Sequence, residues 1–286
     1  MKSQNDKKGT DTGEDLFGTL ITTASRIRGR IIQLSHQAKT PHLGSSLSFV
    51  EILVYLYWHF LKVSPETVNE PTRDRFVLSK GHGITTLYAA LCEKGYFSPE
   101  LFDRYSLADS PLPEHPSPRC VPGIEAATGS LGHGLSISVG MAMASKMNSI
   151  PYNVVTVLSD GECNEGSTWE AALLAPAHKL DNLIAIVDFN KWQATGRSAE
   201  ITALEPLEEK FVAFGWNSTR INGHEFQQIE SALATASRSE KPFAIIADTI
   251  KGKGVKMMED DNNWHYRIPS KEEVDSALAE LGVACL

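Results

Sequence analysis

Val154-Val155-Thr156-Val157-Leu158-Ser159-Asp160-Gly161-Glu162-Cys163-Asn164-Glu165-Gly166 is answered further along by Val187-Asp188-Phe189-Asn190-Lys191-Trp192. Each half is a short apolar, β-branched run that ends abruptly in a polar oxygen donor, Asp160 in the first and Asn190 in the second. Such runs read as strands buried on both faces. Between them Trp169, Leu173, Leu174 and Ala177 recur at helical spacing, which predicts a helix over 166–180. A strand–helix–strand crossover makes the two strands parallel neighbours in one sheet. Both oxygen donors then lie beyond the carboxyl ends of the strands, where open α/β sheets bind ligands.

That pair suggests a small hard cation clamped to a diphosphate. Magnesium takes oxygen ligands in near-octahedral geometry, few of them from protein and the rest from phosphate and water. Asp160 offers a carboxylate, Asn190 an amide carbonyl, and the loop near Trp192 a backbone carbonyl. Gly161 lets the backbone come close to a phosphate, and the start of the next helix points unpaired N–H groups at it. Either residue alone would read as a helix cap or a turn residue. Two in register on adjacent parallel strands favour the metal.

The chain has 286 residues, 42% hydrophobic and 22% charged, enough to bury a large core. A net charge of −8 argues against nucleic acid and acidic membranes as partners. Cys92, Cys120, Cys163 and Cys285 lie far apart, which speaks against a zinc site or a disulfide framework and fits a reducing cytoplasm. No stretch is long and apolar enough to span a bilayer as a helix. Residues 1–14 are expected to form a disordered tail, and residues 15–286 a single diphosphate-binding domain.

Periodicity places helices over 15–37, 49–61, 84–94, 135–147, 204–214 and 224–237. Ser48 with Glu51, and Ser270 with Glu273, have capping-box spacing, the latter opening a last helix. Strands are expected over 73–79, 217–222 and 242–249. A proline-rich stretch over 98–122 should form a rim, and the loop 191–202 should have no regular structure. Lys251-Gly252-Lys253-Gly254 reads as a tight turn. The alternation predicts an α/β fold, a doubly wound, mostly parallel sheet with helices on both faces.

Five of nine histidines sit beside glycine or proline in loops: His42, His82, His115, His133 and His265. The other four, His36, His59, His178 and His224, lie in or at the edge of helices and read as ordinary histidines. A loop cluster without cysteine partners suggests recognition of hydroxyls and carbonyls with proton transfer.

Asp160-Gly161 followed by Asn190 resembles the thiamine diphosphate and magnesium motif of thiamine enzymes. The wording from Asp160 to Ala171 and from Asn182 to Asn190 is similar to transketolase, and the resemblance runs from about Ile27 to Pro269. It covers only that family's first, thiamine diphosphate-binding domain. By resemblance, His42 binds substrate, His82 touches cofactor and donor hydroxyl, and His115 lies on the donor side. His265 sits near the diphosphate and also reaches substrate. Gly129, Ser130 and Leu131 lie along the cofactor. Asp160, Asn190 and the backbone of Trp192 hold the metal, with Gly161 and Glu162 on the cofactor side. Glu165 and Glu170 match interface carboxylates linked to cofactor activation, and Lys251 a basic residue near the cofactor.

This sequence departs from the family pattern at Ser159, where glycine is usual, and at Thr40-Pro41 before His42. It also departs at His133, where glutamine is common, and at Tyr266-Arg267 after His265. In transketolases the carboxylate that activates the cofactor's aminopyrimidine comes from a second domain. The resemblance therefore implies the N-terminal subunit of a split enzyme, completed by a separate C-terminal chain with the pyrimidine-binding domain. The expected assembly is a two-plus-two heterotetramer, and the expected reaction is transfer of a two-carbon ketol unit from a ketose to an aldehyde. Alternatives are two-carbon transfer to an acyl group on a carrier protein, the first subunit of a 2-oxo acid dehydrogenase, or a regulatory or scaffolding subunit.

Overall fold

The computed structural model describes residues 13–284. The expected tail lies outside the described residues except for its last two positions, which open the first helix. In chain order the helices are α1 (Gly13–Ala38), α2 (Leu43–Leu47), α3 (Val50–Tyr55), α4 (Ile84–Glu93), α5 (Gly134–Met147), α6 (Gly166–Ala177), α7 (Ser198–Ile201), α8 (Leu207–Ala213), α9 (Phe226–Ala236) and α10 (Lys271–Leu281). The strands are β1 (Arg75–Leu78), β2 (Val154–Ser159), β3 (Leu183–Phe189), β4 (Asn217–Asn222) and β5 (Phe243–Asp248). They form one parallel sheet in the order β1-β2-β3-β5-β4.

Strand side chains alternate between faces, so each central strand feeds two cores. Val155, Val157, Ile184, Ile186, Phe243 and Ile245 join one core with α1, α3, α4, α9 and α10. Val154, Leu158, Leu183, Val187 and Ile246 join the other with α5, α6 and α8. Both β2 and β3 are buried along their whole length, which explains their unbroken apolar runs. Their register pairs Ser159 with Asp188, so the chain leaves both strands at the same edge of the sheet. Asp160 N–H still donates to Asp188 O at 3.3 Å.

Four expectations need correction. The buried face of α6 is Ala171, Ala172 and Ala175, in the core it shares with α5, while Leu173 and Leu174 are 57% and 43% exposed. Small residues let α6 lie close against α5, and the leucines point elsewhere. Ser48 does not cap α3: the cap position is Phe49, without a side-chain bond, and the Ser48 hydroxyl turns inward toward Asp188. Glu51 is taken by Arg28 instead. The helix expected over 204–214 starts only at Leu207, after Pro206, and the loop 191–202 contains the short α7. The capping box at Ser270 and Glu273 forms as expected.

Candidate functional site

The carboxyl ends of β1, β2 and β3 open into a cavity of about 340 Å³. Four of the loop histidines meet there. His42 has its ring centroid 5.3 Å from that of His82, 6.3 Å from His115 and 5.0 Å from His265. His42 is anchored by its backbone, whose N–H donates to His265 O at 2.8 Å. Its φ of 71° is left-handed, a conformation that histidine tolerates better than branched residues. Pro41 before it does not prevent the ring from joining the cluster. His115 arrives on the proline-rich rim, and Gly129 makes room for it: a Cβ there would lie 2.5 Å from the His115 ring.

Burial pushes His42 down to about 4, with the neighbouring His115 and Lys251 adding to the effect. Burial lowers His265 to about 3, reinforced by Lys251. His82 falls well below the ordinary value for the same reason, with Lys80 next in effect. All three rings are therefore neutral near pH 7, each with one N–H donor and one lone pair.

On the opposite wall Asp160 and Asn190 both line the cavity, as do Gly161 and Trp192. The Asp160 carboxylate is fully buried. It accepts from Gly161 N–H at 3.0 Å and from the Ser198 hydroxyl at 2.7 Å. Among the described residues it forms no ion pair. Burial raises its pKa to about 7, and the Asp188 charge adds to the rise. Asn190 Oδ1 accepts from Trp192 N–H at 3.1 Å, which turns the amide oxygen into the loop that carries Trp192. A buried carboxylate without a cation, beside an amide oxygen, suits a hard divalent ion.

Behind this wall lies a pair that sequence reasoning missed. Lys80 and Asp188 form a salt bridge with both side chains fully buried. Lys80 Nζ also donates to Ser45 O at 2.9 Å and lies 4.4 Å from the Phe49 ring centre. The Thr249 hydroxyl donates to the other Asp188 oxygen. Lys80 is two residues before His82, and Asp188 two before Asn190, so the pair ties the two walls together. The signal was present in the sequence: a charged residue inside the apolar run of β3 needs a buried partner.

The other expected residues divide. Leu131 and Glu165 line the cavity. Ser130 is exposed and does not, nor does Glu170, exposed on α6. Glu162 is buried and turned away: its carboxylate accepts from the Ser79 hydroxyl, Gly132 N–H and Ser159 N–H. It holds the loop in shape rather than facing a ligand. Lys251 is buried behind His265, with Nζ 3.1 Å from its Nδ1. His133 is exposed outside the cavity. Tyr266 is exposed with its ring 4.8 Å from that of His265. Arg267 stacks over Trp264 and pairs with Glu273. Ser45, Gln193 and Thr195 line the cavity without having been singled out.

The depressed histidines make a pH prediction. Unfolding returns His42 and His265 to near 6.5, above their folded values of about 4 and 3. Their contribution to stability is therefore complete above pH 6.5 and is lost as pH falls toward 4 and 3. Asp160, raised on folding, acts in the opposite sense over the same range, so variants must be compared. The melting midpoint of the metal-free His265→Asn chain should fall less between pH 6.5 and 4 than that of the parent chain. Parallel curves would show that His265 is not depressed.

Residues 21–285 match the family described as transketolase, thiamine diphosphate binding domain. The chain is similar to a subunit of the apulose-4-phosphate transketolase of Phocaeicola vulgatus, 40% identical over 264 residues that cover 92% of this chain and 94% of that one. It is also similar to the 6-deoxy-6-sulfo-D-fructose transketolase subunit SqwG of Clostridium sp. strain MSTE9, 46% identical over 241 residues, with 84% and 88% covered. Among solved structures it is similar to the transketolase of Campylobacter jejuni, with a TM-score of 0.85 and 33% identity over 92% of this chain and 42% of that one. The transketolase from Leishmania mexicana gives a TM-score of 0.87 at 26% identity, over 92% and 41%. The chain thus spans less than half of those two solved chains and most of the two subunits.

Proposed function

The chain belongs to the transketolase family, as its thiamine diphosphate-binding domain, and from that membership we infer that it is the N-terminal subunit of a two-component transketolase. It is a transferase subunit that moves a two-carbon ketol unit from a ketose donor to an aldehyde acceptor, together with a separate C-terminal subunit. The observation that carries this reading is the likeness in sequence to relatives named as subunits. The chain is 46% and 40% identical to two relatives named as transketolase subunits and 33% identical to the solved transketolase of Campylobacter jejuni.

In this reading residues 15–286 are one diphosphate-binding domain. Asp160, Asn190 and the Trp192 carbonyl hold magnesium, and Gly161, with no Cβ, leaves the approach open for the diphosphate. When bound, thiamine diphosphate supplies the nucleophilic carbon and the electron sink that carbon–carbon cleavage needs. The chain's own work is positioning and proton handling. His42 and His82, held neutral by burial, and His115 can each donate to a sugar oxygen or accept a hydroxyl proton, and His265 can donate to a sugar oxygen. Glu165 at the cavity rim and Glu170 on α6 are offered to the partner chain.

A two-plus-two heterotetramer fits the exposed apolar side chains Leu173 and Leu174 of α6 and Met147 of α5, which a partner would cover. A cytoplasmic setting fits the free thiols of Cys92, Cys120 and Cys163. No helix among the described residues is long and apolar enough to cross a membrane.

The test is an assay of the purified chain with thiamine diphosphate, magnesium, a ketose donor and an aldehyde acceptor. Turnover should be absent with the chain alone and appear when the chain carrying the pyrimidine-binding domain is added. Robust turnover without that partner would refute the two-component reading.

A further inference from the structure

The turn Lys251-Gly252-Lys253-Gly254 is gripped from behind by a buried charged network. His224 Nε2 accepts from Ile250 N–H at 2.9 Å, so its proton must be on Nδ1. That Nδ1 lies 3.1 Å from Glu51 Oε2. Glu51 receives Arg28 Nη2 on both oxygens, at 2.7 and 2.8 Å. Arg28 closes the circuit, its Nε donating to Lys253 O at 2.8 Å. The network therefore holds the turn at both ends, through the N–H of Ile250 and the carbonyl of Lys253.

Gly254 is required for that grip. Its φ is +98°, and a Cβ there would lie 2.6 Å from Arg28 Cδ. Between the two gripped groups, Lys251 points the other way, toward the cavity wall. Its Nζ donates to Asn262 Oδ1 at 2.7 Å and lies 3.1 Å from His265 Nδ1. An ammonium has no lone pair, so a charged Lys251 makes Nδ1 of His265 the acceptor and leaves the ring proton on Nε2. The Ser45 hydroxyl, 3.4 Å from the same Nδ1, can donate in the same sense.

We propose that Arg28, Glu51 and His224 are positioning residues that set the tautomer of His265, by fixing the turn from which Lys251 reaches its Nδ1. The cavity is then offered an Nε2–H donor at His265 and not a lone pair. This rests on the reading of His265 as a cavity group of the proposed reaction. It also gives His224, an ordinary helix-edge histidine by sequence, a defined role.

The experiment is long-range ¹H–¹⁵N spectroscopy of histidine rings in the full-length chain near neutral pH, with His265 assigned by its loss in His265→Asn. The parent chain should show His265 with Nδ1 unprotonated and Nε2 protonated. His224→Phe keeps the ring but removes both nitrogens, and should replace that pattern with one averaged between tautomers. His224→Gln keeps one donor and one acceptor, both carried by Cδ, and should restore the single tautomer. If His224→Phe does not fold, Arg28→Lys decides, since it loses the bond to Lys253 O or the pair with Glu51. A parent chain with His265 protonated on Nδ1 overturns the proposal. So does a folded His224→Phe, or Arg28→Lys, in which His265 keeps the parent pattern. The spectrum is taken without substrate or partner, so failure of the two-component reading would leave it unchanged.

Discussion

Asp160→Ala should reduce magnesium-dependent binding of thiamine diphosphate by more than about 100-fold, measured by calorimetric titration of the chain with its partner. Loss of groups that only support metal ligands already costs about 10–100-fold, and of the three proposed ligands, Asp160, Asn190 and the Trp192 carbonyl, Asp160 carries the charge. The same substitution should not weaken the metal-free fold. Burial holds the Asp160 carboxyl at about 7, above its unfolded value of 3.8. Its contribution to stability is therefore full below 3.8 and lost as pH rises through 7. At pH 7.5 the metal-free variant should melt at or above the parent temperature. Cofactor affinity that survives in the variant would remove the metal from this wall of the cavity. A large drop in melting temperature would instead make Asp160 a structural residue.

Asp188→Ala should lower stability by about 3–5 kcal/mol, the usual cost of leaving a buried charge without its partner. For a domain of this size that is a fall of the melting midpoint on the order of 10 °C. Lys80 would keep only Ser45 O, the Ser48 hydroxyl and the face of Phe49. The double variant Lys80→Met with Asp188→Leu should recover much of the loss, because it removes both charges and fills the space with apolar atoms. A single variant that melts with the parent chain would mean the pair is not ionised. A double variant no better than the single would mean that shape, not charge, matters there.

Much of the fold was legible because two periodicities dominate it. The period-2 alternation across two buried faces made β2 and β3 continuous apolar runs, and their polar tips marked the ligand edge of the sheet. The helix α6 shows where such reading stops. Leu173 and Leu174 look like the core stripe, yet the core takes Ala171, Ala172 and Ala175, and which face is buried depends on how closely α5 lies against α6. Ser48 shows the same for capping: the spacing to Glu51 was right, but Arg28 and Asp188 competed for the two side chains from distant sequence.

By itself the sequence determined that Asp160 and Asn190 end parallel strands of one sheet, because a strand–helix–strand crossover fixes their direction. That the two strands are neighbours was decided by the sheet, since a crossover can skip a place, as the one from β3 to β4 does. The sequence placed His42, His115 and His133 outside regular helices, whereas His82 and His265 lie in short 3-10 turns and His224 lies in a turn before α9. Only the tertiary structure decided that His42, His82, His115 and His265 share one cavity while His133 stays outside it. It alone turned Glu162 away from the cavity, set Lys251 behind His265 and joined Lys80 to Asp188. The physical reason is that strand and helix periods are set by neighbours in sequence. The partner of a buried charge is set by whatever the fold brings within a few ångströms, and such contacts leave no local pattern.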